Sequence, residues 1–309
     1  MIRFLAALAV RAGLLLVVLA AVYAAADALP GDPVRLAMGP TASPADVEAR
    51  RESLGLDRPL PARFADWLSG LVQGDLGTTV RGQPINDLLG DRLASTLLLT
   101  GLTFAFVLVV ALAWAALWSA RPRGRFGRTS AVGTSILVAT PEFVLGTLLV
   151  LVFALVLGLL PATTVVGADG RLATPLMLVL PVLALGLPHA AWQTRVNRAA
   201  IAEAAAMPHV EQARLDGVPE RRVVTRHVLP LAAPTIAASL ATMVGTLLAG
   251  AVVVETLFNY PGAGQLVAGS LESRDTTLLV SLTALCGLVV VAALVIADAI
   301  RLWALRGRR

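Results

Sequence analysis

The residue types that carry out chemistry in proteins are sparse in this sequence. All 25 basic residues are arginine, so the chain lacks both the lysine that a P-loop places on the phosphates of ATP and the amine that a Schiff base requires. Three histidines are scattered without metal-ligand spacing, and Cys286 is the only cysteine. The sequence therefore excludes a P-loop, Schiff-base chemistry and an intrachain disulfide, and it predicts no metal or cofactor on this chain.

Three carboxylates, Glu142, Glu255 and Asp298, lie in or near strongly apolar segments. A charge at the middle of a bilayer costs about 2.5–3.5 kcal/mol on the insertion scale, so each carboxylate is expected either to face a translocation path or to pair with an arginine or a helix end. Interior prolines kink helices where neighbours or a cavity satisfy the freed carbonyl. Four residues are therefore candidates for a path or gate: Pro141, Glu142, Pro188 and Glu255.

Composition excludes a soluble protein. Of the 309 residues, 57% are hydrophobic and only 15% are charged, whereas soluble domains are about a quarter charged. Six apolar runs are long enough to cross a bilayer as helices. They are Phe4–Leu29, Leu93–Ala120, Ala131–Leu160, Thr174–Trp192, Ala233–Leu257 and Leu278–Leu302. We therefore expect an all-α polytopic membrane protein with six transmembrane helices, in which residues 1–29 form the first span.

Arginine placement predicts the orientation of these spans. If both termini are cytoplasmic, one side carries sixteen arginines, including Arg121, Arg123, Arg308 and Arg309. The other side carries nine, seven of them in residues 30–92 and one at Arg171. Both termini are therefore predicted to be cytoplasmic, and the basic surplus indicates contact with anionic lipid and not with nucleic acid. Signal-peptide cleavage after the AAA at residues 24–26 is the alternative, but it would leave five spans and conflict with this pattern.

The external loop at residues 30–92 is predicted to contain short helices. Ser43 is a plausible N-cap, Pro44 suits the first helical position and Gly55 suits a C-terminal stop. A second helix over residues 60–72 would place an apolar stripe on one face, made of Phe64, Trp67, Leu68 and Leu71. These features favour a small folded cap over the alternative of a solvated linker.

The predicted core covers residues 93–309 and includes a cytoplasmic segment at about residues 199–232. This segment contains unusually clear signals for where helices start and end. Pro208 suits the start of a helix, Gly217 its left-handed end, and Pro219 the start of a second helix running toward Leu229. Apolar Val210, Ala213 and Leu215 are expected to contact a partner, ringed by charged residues that include Arg214 and Asp216. The residues alone leave two interpretations of this segment open: a protrusion that fits a groove in a partner, or a solvated loop.

The spacing of Glu211, Ala213, Gly217, Leu229 and Pro230 resembles the EAA loop of binding-protein-dependent ABC importer permeases, with departures at Gln212 and His227. Further motifs in order are LPGDP at 29–33, SLGLDRPL at 53–60, GDLGTTVR at 74–81, ATPEFVLG at 139–146, GVPERRVVTRHVLP at 217–230 and GAVVVETLFNYPGAGQLV at 250–267. Together they are similar to the B-type permease subunit of dipeptide, oligopeptide and nickel importers.

That resemblance implies a type I ABC importer permease fold in the bacterial inner membrane. It implies a heterodimer with a second homologous permease, one or two ATPase subunits that bind ATP and Mg²⁺, and an external solute-binding protein. The coupling residues it implies are Val210, Glu211, Ala213, Arg214, Leu215, Asp216 and Gly217. Asn259, Tyr260, Pro261 and Gly262 become candidates for docking the solute-binding protein, although Tyr260 could instead rest at the membrane interface.

The leading functional hypothesis is a permease subunit of an ATP-driven importer of dipeptides or oligopeptides. Nickel or another small solute is the alternative within the same family. An ATP-independent secondary transporter or channel, or a purely structural membrane subunit, belongs to other classes. Of these classes, only the importer requires a cytoplasmic protrusion whose helix ends at a glycine. A secondary transporter would be better supported by matching interrupted spans in the two halves of the chain.

Overall fold

The computed structural model describes residues 2–120, 124–165 and 173–306. Arg121, Arg123, Arg171, Arg308 and Arg309, which contribute to the arginine pattern, lie outside these ranges. Thirteen α-helices run through the described residues: α1 Ile2–Asp27, α2 Pro33–Met38, α3 Pro44–Ser53, α4 Leu60–Gln73, α5 Ile85–Ala120, α6 Arg125–Ala139, α7 Glu142–Leu149, α8 Val179–Ala205, α9 Pro208–Leu215, α10 Glu220–Val223, α11 Leu229–Leu257, α12 Ala263–Ser273 and α13 Thr276–Arg306. Short segments extend three of these helices, with π geometry at Val150–Val156 and Val224–Val228 and 3₁₀ geometry at Pro175–Leu178.

The apolar runs become helices of membrane-spanning length. Among the described residues, five helical segments are long and apolar enough to cross a bilayer, and a sixth span exists if the bent pair α6–α7 counts as one. The all-helical prediction is confirmed. The fourth predicted span is longer than expected, because α8 continues beyond Trp192 to Ala205.

The third predicted span is not a single helix. Its two halves, α6 and α7 with the π segment that follows, meet at an angle of 105°. The break falls at Thr140, whose φ of −89° and ψ of 119° are extended, immediately before Pro141. Proline disfavours the helical region in the preceding residue and has no N–H to donate, so a break at this point follows from the sequence, although its size does not.

The chain divides into two compact units. The first comprises Met1–Leu97 and Tyr260–Leu288. The predicted helix signals within it are confirmed: the Ser43 hydroxyl accepts a hydrogen bond from the Asp46 N–H at 3.1 Å, Pro44 begins α3, and Gly55 has a φ of +64° just past its end. Helix α2 is not predicted from the sequence; Asp32 caps it by accepting hydrogen bonds from the Val34 and Arg35 N–H groups.

The apolar stripe of α4 packs against α1 and α13 within this first unit. Tyr23 of α1 meets Phe64 edge-on at 5.4 Å between ring centroids, and Trp67 is buried beside them. The Trp67 indole N–H donates to the Ser281 hydroxyl at 3.0 Å, and that hydroxyl donates to the Leu76 carbonyl at 3.0 Å. Residues 60–73 are therefore a packed helix of a folded unit, as the stripe predicts, and not a solvated linker.

The chain becomes helical soon after Tyr260, within the stretch between the predicted fifth and sixth spans. Residues from Ala263 onward form α12, and Asp275 follows it as a buried carboxylate. Burial raises the pKa of Asp275, while hydrogen bonds from the Leu278 and Val80 N–H groups, at 3.0 and 2.8 Å, oppose the shift. One carboxylate thus caps α13 and fixes the loop around Val80.

The second unit comprises Leu98–Asn259 and Val289–Arg309. Its centre is α8, which packs along α6, α7 and α11. On another side α8 lies so close to α5 that a Cβ added to Gly186 would sit 2.6 Å from the Phe106 ring. This unit positions the loop between α8 and α11, where the sequence motifs predict function.

Candidate coupling site

Residues 206–219, named here the Gly217 loop, form a short helix followed by a sharp reversal. Pro208 begins α9 as predicted, and Gly217 has a φ of +76°, the left-handed conformation predicted for it. The Gly217 N–H donates to the Arg214 carbonyl at 3.0 Å, and the Val218 N–H donates to the Ala213 carbonyl at 3.1 Å. This pair of bonds is a Schellman motif, which satisfies carbonyls at the helix end and gives the reversal one defined shape.

The Gly217 loop is seated on its own chain through an apolar cluster. Val210 is 0% exposed and Ala213 is 8% exposed, and both pack against buried residues of α8 and of the helical segment after Pro219. The cluster comprises Ala200, Ala204, Val210, Ala213, Val223, Val228 and Ala232. The expectation that Val210 and Ala213 face a partner is therefore not met, because both side chains hold α9 in place from inside.

The other predicted coupling residues lie on the exposed surface of the loop. Glu211, Arg214, Leu215, Asp216 and Gly217 are all exposed. Leu215 is 77% exposed and Met207 is 38% exposed, so Leu215 is the more exposed of the two large apolar side chains on this surface. The loop thus presents a projecting leucine next to charged groups, on a helix whose opposite face is buried.

Arg214 links the loop to the helices on either side of it. Its Nε and Nη2 donate to the two carboxylate oxygens of Glu220 at 3.2 and 3.1 Å, and its Nη1 donates to the Ala205 carbonyl at the end of α8 at 3.2 Å. The hydrogen bonds to Glu220 raise the pKa of Arg214. A planar guanidinium suits this forked geometry, so Arg214 joins the end of α8, α9 and the start of α10 in one arrangement.

Replacing Glu220 with alanine is expected to loosen the loop without unfolding the protein, because the ion pair is exposed and contributes little to global stability. Hydrogen exchange of the amides at residues 206–219 should become faster. Glu203→Ala, which removes an exposed carboxylate from α8, is the matched control and should leave the exchange rates unchanged. Exchange rates equal to those of the original chain would contradict the role given to Arg214.

Beyond the loop, the chain enters the membrane as a continuous helical segment. The second helix predicted from Pro219 toward Leu229 does form, and it continues through α10 and the π segment into α11. In the π segment the Leu229 N–H bonds to the Val224 carbonyl, five residues earlier. The ring of Pro230 would collide with the Arg226 carbonyl in a regular α-helix, so the wider turn relieves the clash.

The four path or gate candidates lie in different environments. Pro141 is exposed at the bend, and Glu142 is half-buried, with Oε1 3.4 Å from the position a Cβ on Gly250 would occupy. Pro188 is buried inside α8, and Glu255 is 0% exposed near the end of α11. Of the four, only Pro141 and Glu142 reach a surface of this chain.

The docking candidates are similarly divided. Tyr260 is 1% exposed and Gly262 is buried, whereas Asn259 is exposed and Pro261 is partly exposed. The Tyr260 hydroxyl donates to the Ser95 carbonyl at 2.9 Å. Tyr260 is therefore enclosed by the protein, and neither the expected docking surface nor the membrane-interface alternative describes its position.

Sequence reasoning missed a row of buried polar residues on α8, formed by His189, Gln193 and Asn197. Their spacing of four residues places all three on one helix face, a signal that the sequence carries. Gln193 and His189 have partners on α11, Ser239 and Thr246, which the sequence alone could not show.

Residues 109–309 match the family described as binding-protein-dependent transport system inner membrane component, and residues 1–100 match the N-terminal part of such membrane components. The glutathione transport system permease protein GsiC of Pectobacterium atrosepticum is 38% identical over 265 residues, which cover 84% of this chain and 83% of that protein. GsiC of Escherichia coli K12 is 38% identical over 251 residues, covering 80% and 79%.

A solved structure of the MetNI methionine ABC transporter in inward-facing conformations contains a chain with the same fold. Its TM-score is 0.53 at 21% identity, covering 69% of this chain and 96% of that one. The resemblance found in the sequence motifs is thereby confirmed, whereas the sidedness of the termini stays a prediction. The chain belongs to the binding-protein-dependent transport system inner membrane components and is a non-catalytic, multi-pass permease subunit of an ABC importer in the bacterial inner membrane.

Proposed function

We propose that this permease forms half of the translocation path for a peptide, and that the Gly217 loop is the lever by which partner ATPases drive it. The path would be completed by a second homologous permease, and an external solute-binding protein would deliver the peptide. ATP-driven closure of the ATPases would move the loop and the spans attached to it, and thereby switch the side from which the path is accessible.

The geometry of the Gly217 loop carries this proposal. A lever must keep its shape under load, and the loop is held by a Schellman reversal, by the buried Val210 and Ala213, and by the fork of Arg214 on Glu220. Leu215 and its charged neighbours then form a rigid protrusion that fits a groove on a soluble partner. A solvated linker would need none of these contacts.

A peptide substrate is supported by the relatives, which are named permeases of glutathione transport, glutathione being a tripeptide. The motifs alone left nickel open as well. In the described part of the chain, no group of three or more His, Cys, Asp or Glu residues could hold a metal ion. The residues of this chain therefore give no support to a metal cargo.

Reconstitution of the complete complex in proteoliposomes tests the proposal. Labelled alanyl-alanine, glutathione and Ni²⁺ would each be supplied with the solute-binding protein, with ATP or with a non-hydrolysable analogue inside. We expect uptake of at least one of the two peptides that requires hydrolysable ATP. Full uptake by this chain without the ATPases would overturn the lever, and uptake of Ni²⁺ alone would overturn the peptide assignment.

A further inference from the structure

The missed polar row on α8 forms a hydrogen-bonded contact with α11. Gln193 is 0% exposed, and its side-chain amide donates to Oδ1 of the Asn197 side chain at 2.7 Å and to the Ser239 hydroxyl at 2.8 Å. One turn away, His189 Nε2 lies 3.1 Å from the Thr246 hydroxyl. We name these five residues the polar seam.

The centre of the polar seam is enclosed within one subunit, whereas Thr246 at its edge is exposed. Asn197 is 1% exposed, and His189 and Ser239 are each 9% exposed, so the side chains that form the centre do not lie on a surface where solute could pass. Polar groups inside a membrane span are costly unless they are satisfied, and here they satisfy one another across two helices. Holding the two helices together is the role that this geometry supports.

The contact between α8 and α11 changes character along its length. Next to the Gly217 loop it is apolar: Ala200 and Ala204 of α8 belong to the same buried cluster as Ala232 of α11 and Val228 just before it. Farther from the loop it becomes the polar seam. Apolar packing is non-directional and permits small slides between small side chains, whereas hydrogen bonds have preferred distances and angles and therefore fix one register.

We propose that the polar seam locks the register of α8 against α11, so that both helices and the Gly217 loop between them move as one rigid body. Gln193 is its central positioning residue, because it contacts both Asn197 and Ser239. This inference rests on the proposed lever function of the loop. Without the seam, a push on the loop would be absorbed by sliding between the helices and would not reach the path.

The first test uses a pair of matched variants. Ser239→Ala removes a buried hydroxyl that crosses between the helices, whereas Thr194→Val removes a 0% exposed hydroxyl that bonds only within α8, to the Ala190 carbonyl at 2.7 Å. In the complete complex, with alanyl-alanine and glutathione as probes, we expect Ser239→Ala to lower the peptide transported per ATP hydrolysed at least twofold. Thr194→Val should leave this ratio unchanged, even if both variants melt at a slightly lower temperature.

A stronger variant replaces the centre of the seam with apolar groups of similar size: Gln193→Met, Asn197→Leu and Ser239→Ala together. Because donors and acceptors are removed together, no buried polar group is stranded and the fold should persist. ATP hydrolysis should continue while the ratio of peptide to ATP falls at least fivefold. A ratio equal to that of the original complex, in this variant or in Ser239→Ala, would overturn the proposal.

A measurement that needs no substrate checks the rigid body directly. Spin labels at Trp192→Cys on α8 and Thr242→Cys on α11, in a Cys286→Ser background, would report the distance between the helices in the complete complex with and without a non-hydrolysable ATP analogue. We expect one narrow distance in both states for the original seam, and a broadened distribution for the apolar triple variant. A distance that changes between states with the seam intact, or a triple variant as narrow as the original, would contradict the register lock.

The outcomes also separate this inference from the proposed function. If Gly217→Val uncouples transport and the seam variants do not, the register lock alone is wrong. If Gly217→Val leaves coupling intact, the lever itself is wrong, whatever the seam variants do.

Discussion

Replacing Gly217 with valine is expected to reduce ATP-coupled uptake roughly tenfold while the permease still inserts and folds. The φ of Gly217 is +76°, and an added Cβ would meet no atom within 4 Å, so the cost arises in the backbone and not from a clash. A left-handed conformation costs a non-glycine residue about 1–2 kcal/mol, and more for a β-branched one. Because α9 is short, this strain should be relieved by opening the Schellman reversal and not by unfolding the membrane core.

Gly217→Asn is the matched control, since asparagine tolerates the left-handed region better than other non-glycine residues. Uptake and ATP hydrolysis would be measured on complexes purified in equal amount, together with the amount of permease in the membrane. We expect asparagine to keep most of the uptake and valine to keep hydrolysis but lose transport. Equal uptake in the two variants would show that the conformation at Gly217 is not needed for coupling.

Replacing Gly186 with alanine is expected to destabilise the permease itself, with less folded protein and a lower melting temperature. The new Cβ would lie 2.6 and 3.0 Å from two carbons of the Phe106 ring, distances that require α8 or the ring to move. Overpacking of this kind costs typically about 1–3 kcal/mol. Thermal unfolding of the purified protein in detergent, followed by size-exclusion chromatography, measures the effect.

Gly133→Ala is the matched control: it makes the same chemical change, but it is not expected to lower the melting temperature. Gly133 also lies in a helix, α6, but a Cβ there would meet nothing within 4 Å. Alanine favours a helix over glycine by about 1 kcal/mol, so this variant should be as stable as the original or slightly more so. A Gly186→Ala protein that melts no lower than Gly133→Ala would show that α5 and α8 do not pack as closely as described.

Much of the fold follows from local rules that a sequence displays. Apolar run length predicts the spans, and the cap at Ser43 and the stop at Gly217 are both fulfilled. These features depend on residues within a turn or two of one another. The 105° bend at Thr140 was only half predictable, because Pro141 requires a break but the helices packed around α7 set its angle.

The sequence does not show which face of each helix is covered by other parts of the protein. Val210, Ala213 and Tyr260 are predicted to be surface residues, but all three are buried. Val210 and Ala213 are covered by the helical segments on either side of their loop, and Tyr260 contacts Ser95, which is distant in the chain. Helix start and stop residues locate the candidate site, but short helices carry too few apolar residues for periodicity to show which side is inside. The polar seam was not predicted because Gln193 and Ser239 are 46 residues apart and their pairing depends on tertiary packing.

The π segment ahead of Pro230 has a consequence for reading helical wheels through this region. Val223 and Val228 are both buried on the same cluster although they are five residues apart, a separation that a regular α-helix would rotate about 140° around its axis. From Val228 to Ala232 the ordinary four-residue step resumes. A helical wheel drawn with a constant 100° step from Glu220 to Leu257 will assign the residues on one side of the π segment to the wrong face. The wheel must therefore be started again after Val224–Val228.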